Sequence, residues 1–272
     1  MKPHISIGPA ALLSLLLAAP PAHSSVIIRR ATATTAAGLQ AAIDSFRADL
    51  GGANNGATTT SFSTGRREIN WDGVPDGNAL PNNLIFNFFN SNSPRGVVFS
   101  TVEGASALNQ FMVSADSDNP TGFPVRFGNF NAAYATGFQA FSAERLFHLR
   151  GGDTMTLSFF LPGTSIPASV SGMGVVYADV DVAANVRLIC FAPDGRRLVG
   201  ATGDVQNNGL SFLGIFFDNA DERCARIELR AGNTDLTGGA ADGTGGIDVI
   251  ALDDFIYGEP RSLDVPLRDG FE

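Results

Sequence analysis

Among 272 residues only Lys2 is a lysine, and the histidines are His4, His23 and His148, so lysine-based Schiff chemistry, P-loop lysines and multi-histidine zinc sites are excluded. The net charge of −9, with arginines in isolated pairs such as Arg66-Arg67 and Arg196-Arg197, excludes a basic surface for nucleic acid. The same acidity suits a secreted protein, and it suits hard cations such as calcium.

Residues 1–24 read as a signal peptide. Lys2 gives a positive start, Ile5 to Ala19 an apolar stretch, and Ala22-His23-Ser24 small residues for cleavage before Ser25. The expectation is a secreted protein, extracellular or periplasmic. No later segment reads as a membrane span, because Asp179 and Asp181 interrupt the most apolar candidate.

Residues 25–65 read as an N-terminal helix and linker. Leu39, Ile43, Phe46 and Leu50 fall on one stripe, Thr34 or Thr35 can cap the start, and Gly51 can end it. Gly52 to Gly65 is rich in Asn, Gly, Thr and Ser and reads as a surface loop.

Residues 66–260 read as a β-sandwich domain. Short β runs are expected at Gly96–Val102, Gln110–Val113, Val125–Phe127, Leu146–Leu149, Met155–Leu161 and Gly174–Val182. They continue at Val186–Ala192, Leu198–Ala201, Leu210–Phe217, Ala225–Ala231 and Ile247–Tyr257. Pro193-Asp194-Gly195 is a hairpin turn, and Phe138 to Leu149 has room for a helical turn. The spacing of runs and turns predicts a mainly β fold: an antiparallel β-sandwich of jelly-roll type with one short N-terminal helix. The 21 phenylalanines supply rings for its core. Residues 261–272 read as a flexible tail.

Export and an even cysteine count favour a Cys190–Cys224 disulfide over two buried thiols. Such a closure stabilises by roughly 3–4 kcal/mol in the chain-entropy model.

Acidic and amide oxygens stand among large apolar residues in two distant segments, Gly65 to Asp76 and Ile247 to Gly258. Asn70, Asp72 and Asp76 alternate along a loop, and Asp253 and Asp254 close the domain. If the segments meet, these five can frame a calcium ion; otherwise they cap turns and pair with Arg66, Arg67 or Arg95. On a regular strand Asp253 and Asp254 face opposite ways, so only one easily joins the site. Asp179 and Asp181, with Asn185 beyond, form a secondary candidate: a calcium site, a carboxylate pair for polysaccharide hydrolysis, or a solvated strand end. Gly232 to Gly246 reads as a loop faintly similar to glycine-aspartate calcium repeats. His148, inside Leu146-Phe147-His148-Leu149, reads as a half-buried structural histidine.

Gly65-Arg66-Arg67-Glu68-Ile69-Asn70-Trp71-Asp72-Gly73-Val74-Pro75-Asp76 with Leu252-Asp253-Asp254-Phe255-Ile256-Tyr257-Gly258-Glu259-Pro260 resembles an uncharacterised family of exported bacterial β-sandwich proteins. More distantly, Ala251 to Phe255 and the strand order resemble MAM and carbohydrate-binding-module jelly rolls. That likeness implies a closing Asp-Asp strand beside the opening strand, often around calcium. The chain lacks the cysteine framework of MAM domains.

The combined expectation is a non-catalytic, calcium-stabilised module binding a glycan or another surface polymer, with Trp71 and Tyr257 as ligand-contacting rings. The alternatives are a carboxylate-dependent polysaccharide hydrolase and a structural matrix protein.

Overall fold

The computed structural model describes residues 25–101, 110–219 and 222–263. The expected signal peptide, residues 1–24, lies outside the described residues, as does the expected 261–272 tail beyond 263, whose first residues Arg261 and Ser262 are instead a short strand paired with Ala168 and Ser169. In chain order the first elements are β1 (Val26–Ala33), α1 (Ala36–Leu50), β2 (Arg66–Ile69), α2 (Phe88–Ser91), β3 (Val97–Thr101), β4 (Phe111–Val113), α3 (Tyr134–Gly137) and β5 (Phe147–Leu149). There follow β6 (Thr154–Phe159), β7 (Ala168–Ser169), β8 (Gly172–Val180), β9 (Val186–Phe191), β10 (Arg197–Thr202), β11 (Gln206–Phe217), β12 (Arg226–Ala231), β13 (Ala251–Gly258) and β14 (Arg261–Ser262).

The fold is mainly β, with every strand pair antiparallel. A larger sheet runs β1-β11-β8-β13-β5-β4, with β2 also paired to β13; a smaller one runs β10-β9-β12-β6-β3. Val175, Tyr177, Leu213 and Phe255 of the larger sheet share one core with Phe99, Leu157, Leu188 and Leu229 of the smaller. That shared core makes the two sheets a sandwich.

The larger sheet is covered on its other face too. Val176, Phe212, Ala251 and Ile256 pack beneath Leu39, Ile43, Phe46 and Leu50 of α1 and beneath Phe127, Tyr134, Phe138 and Leu146. Hence β8 and β13 are buried along their whole length, and apart from Asp179, Asp253 and Asp254 they carry apolar residues on both faces rather than in alternation. Thr35 caps α1 and Gly51 ends it at φ 72°. Each large side chain on the buried stripe stabilises by about 1.5–3 kcal/mol. The Phe46 ring sits where a Cβ at Gly174 or Gly214 would come within 2.7 Å of it, so both positions need glycine.

Residues 25–65 are not a preface to the sandwich. Val26 to Ala33 form an edge strand paired along β11, a strand the sequence pattern did not suggest. Arg29 reaches Asp49 with two bonds of 2.7 and 2.8 Å and ties that strand to α1. The stretch from 52 to 65 is also anchored. Arg67, fully buried, pairs with Glu259 at 2.6 Å and donates to the carbonyls of Gly56, Thr58 and Thr60. Glu259 also accepts from Asn55 and from the Phe62 N–H.

Two local expectations are corrected. Val125–Phe127 is not a strand, because Arg126 and Phe127 take φ of 46° and 62°. The helical turn lies at Tyr134–Gly137, ahead of Phe138. The hairpin at Pro193-Asp194-Gly195 joins β9 to β10, with Gly195 at φ 83°. Cys190 and Cys224 form a disulfide.

Candidate functional site: two carboxylate clusters

The opening and closing segments do meet. β2 pairs with β13, Ile69 opposite Phe255, and the Trp71 indole N–H donates to the Asp253 carbonyl at 3.0 Å. Along β13 the register against β8 shifts between Leu252 and Phe255, so Asp253 and Asp254 together oppose one residue. This bulge lifts the opposite-face rule, and both carboxylates reach the Ser142 hydroxyl. The Asn70 carbonyl, 3.2 Å from the same hydroxyl, is an alternative acceptor for its single proton, and Ser142 also lies against Asp72.

The five expected metal ligands nevertheless do not form one cage. Arg145, almost fully buried, turns Asp76 away: its Nη2 donates to Asp76 at 2.6 Å and to Asp116, while its backbone N–H donates to Asp72. An arginine therefore answers the charge of the opening loop, though not Arg66, Arg67 or Arg95. Asp253 accepts from the Phe141 N–H at 2.6 Å and from Ser142 at 3.0 Å. Burial, then the neighbouring Asp254 charge, holds the Asp253 carboxyl well above its ordinary range, and burial pushes Asp254 up to about 6. The nearest cation to Asp254 is Arg47, 3.9 Å away, and Oδ1 of Asp254 has no hydrogen-bond partner.

Trp71 and Tyr257 are not ligand-contacting rings. Trp71 is 1 % exposed and stacks on Phe147 with centroids 4.1 Å apart. Tyr257 is fully buried and donates its hydroxyl to the Arg95 carbonyl. Rings with both faces covered cannot stack on a sugar.

The secondary candidate assembles differently. Asp179, at the end of β8, takes φ 67°, and opposite it β11 bulges between Gln206 and Leu210 with Asn208 at φ 51°. The Asn208 N–H donates to Asp179 at 2.6 Å, and Asn207 donates to Asp181. A third carboxylate, Asp242, arrives from the glycine-rich loop before β13, held by the Val249 N–H at 2.6 Å. Oxygens of Asp179, Asp181 and Asp242 lie within 4.8 Å of one another and can hold a metal ion. Asn185 does not join them; it donates to Asp248, which also takes the Asp181 and Val182 N–H groups.

Burial, then the nearby carboxylates, raises Asp179 and pushes Asp242 up to about 7, against backbone bonds that lower each. One oxygen of Asp181 is buried without a partner. Among the described residues no arginine pairs with any of the three. Asp179 and Asp242 border a cleft of about 350 Å³ lined also by Asn131, Tyr134, Thr136, Asn207 and Asn208. Asp242 escaped the sequence reading because its loop lacks a repeat; the glycine-aspartate flavour of that loop was its only signal.

His148 is fully buried, not half-buried. Neither ring nitrogen makes a hydrogen bond of ordinary geometry, burial lowers its pKa to about 4 so that it is neutral, and it does not line the cleft.

Comparison with protein-family models, curated proteins and solved structures finds no match to this chain. Fold and site together define a mainly β protein with an acidic cleft able to hold a cation. Among the described residues, no helix is long and apolar enough to cross a membrane.

Proposed function

We propose that this protein is a secreted, calcium-stabilised β-sandwich that binds a glycan or another surface polymer without chemical turnover. One observation carries the calcium reading: Asp179, Asp181 and Asp242 converge, and among the described residues no arginine pairs with them. Like charges this close repel unless protons or a cation intervene, and a hard cation is answered by oxygen ligands alone. The Asn131, Asn207 and Asn208 amides beside the carboxylates offer further oxygens and sugar-type hydrogen bonds. The disulfide accords with export. A thermal melt tests the metal: the midpoint rises at millimolar calcium and returns with chelator. An unmoved midpoint removes the reading.

A second reading rests on Asp242. A carboxyl held near 7 beside an ionisable Asp179 in a cleft has the form of an acid–base pair, which suits polysaccharide hydrolysis. A polysaccharide panel separates the two: a binder retains polymer and releases no oligosaccharide.

A further inference from the structure

Two hollows of about 270 and 430 Å³, lined by residues other than those of the carboxylate cleft, share Arg223 and Arg261. Arg223 donates from Nε and Nη2 to Ser169, and from Nη2 to the Glu259 carbonyl at 3.1 Å. Its Nη1 has no partner among the described residues, so that part of the planar fork is uncommitted. Arg261 gives one bond, to the Ser63 carbonyl.

Neither guanidinium has a carboxylate partner among the described residues. The acids lining the hollows are engaged elsewhere: Glu259 by Arg67 and Asp49 by Arg29. Burial and then the positive charge of Arg261 lower the Arg223 pKa to about 10, so the two cations strain against each other. In a chain of net charge −9, two adjacent arginines that no carboxylate pairs among the described residues are unusual company. The larger hollow adds Ser61, Ser63 and Ser262 and the Phe62 ring, which is 40 % exposed.

We propose that Arg223 and Arg261 form an oxyanion site that receives a carboxylate or sulfate group. Arginine forks match such groups with paired charge-assisted bonds, and an anion between two cations turns their repulsion into attraction. The Phe62 ring, with the Arg67 guanidinium 5.6 Å from its centroid, leaves its exposed part as apolar lining beside the two arginines. This site is independent of calcium, and its test runs in chelator.

The experiment is calorimetric titration of the protein with sodium sulfate and with sodium glucuronate. Sodium chloride at matched ionic strength and methyl glucoside serve as controls. The expected result is saturable binding of sulfate, glucuronate or both, weakened at least about tenfold by Arg261→Gln and by Arg223→Gln. Tighter glucuronate assigns a carboxylate ligand; tighter sulfate assigns a sulfated one. Arg261 is exposed, so its variant decides the matter if Arg223→Gln fails to fold. A response equalled by chloride, or one unchanged in Arg261→Gln, overturns the proposal.

Discussion

Asp242 brings a carboxylate oxygen within 4.8 Å of Asp181, and among the described residues no arginine pairs with either. Asp181 is held at the end of β8 by the Asp248 cap, and Asp242 by the Val249 N–H. The pair is thus fixed by backbone, leaving its charge to be answered from outside.

That arrangement sets a pH dependence. The folded-state pKa of Asp242, raised to about 7, lies above its unfolded value, so its protonated form favours the folded state. Without metal, its contribution falls as pH rises from about 4 through about 7. Melting curves in chelator are expected to drop across that window. Calcium or Asp242→Asn flattens the drop, and an equal drop in Asp242→Asn removes the assignment.

His148 works in the opposite direction. Its folded pKa, about 4 against an ordinary 6.5, means the unfolded chain takes up the proton first. Stability from this group is present above about 6.5 and is lost as pH falls toward 4. The shift corresponds to about 3 kcal/mol. His148→Leu is expected to hold its melting point better than the parent between pH 6.5 and 4. Parallel acid limbs would count against it.

The buried Arg67–Glu259 pair anchors the stretch from 52 to 65. Glu259→Gln or Arg67→Met leaves one buried charge unanswered, at a cost of about 3–5 kcal/mol in denaturant unfolding. Limited proteolysis should then cut within residues 53–64. A variant that stays resistant and loses less than about 1 kcal/mol shows that the pair is dispensable.

Trp71, the only tryptophan, reports on the clasp between β2 and β13. Its enclosure by Phe89, Phe147 and Phe255 predicts blue-shifted emission that neither calcium nor saccharide alters. Quenching by a saccharide would restore it as a ligand contact.

Much of the fold was legible because it is local. The stripe Leu39, Ile43, Phe46, Leu50 marked α1, and Pro193-Asp194-Gly195 marked a hairpin. β1 was hidden because Arg29 and Arg30 interrupt its apolar pattern, and its pairing partner in β11 is remote. The candidate sites were legible only in part, since each depends on a break in regular geometry or a distant partner. The β13 bulge brings Asp253 and Asp254 to one serine, and Arg145 claims Asp72 and Asp76 from another segment. The Asp179–Asp181 pair was visible by spacing, whereas Asp242 joins it only through tertiary folding.

Calcium calorimetry on the parent, Asp181→Asn and Asp242→Asn tests the cation reading most directly. The predicted result is saturable binding by the parent, weakened at least about tenfold in each variant whose fold is confirmed by its unchanged β spectrum. Absence of binding in the parent, or an identical isotherm in both folded variants, would contradict it.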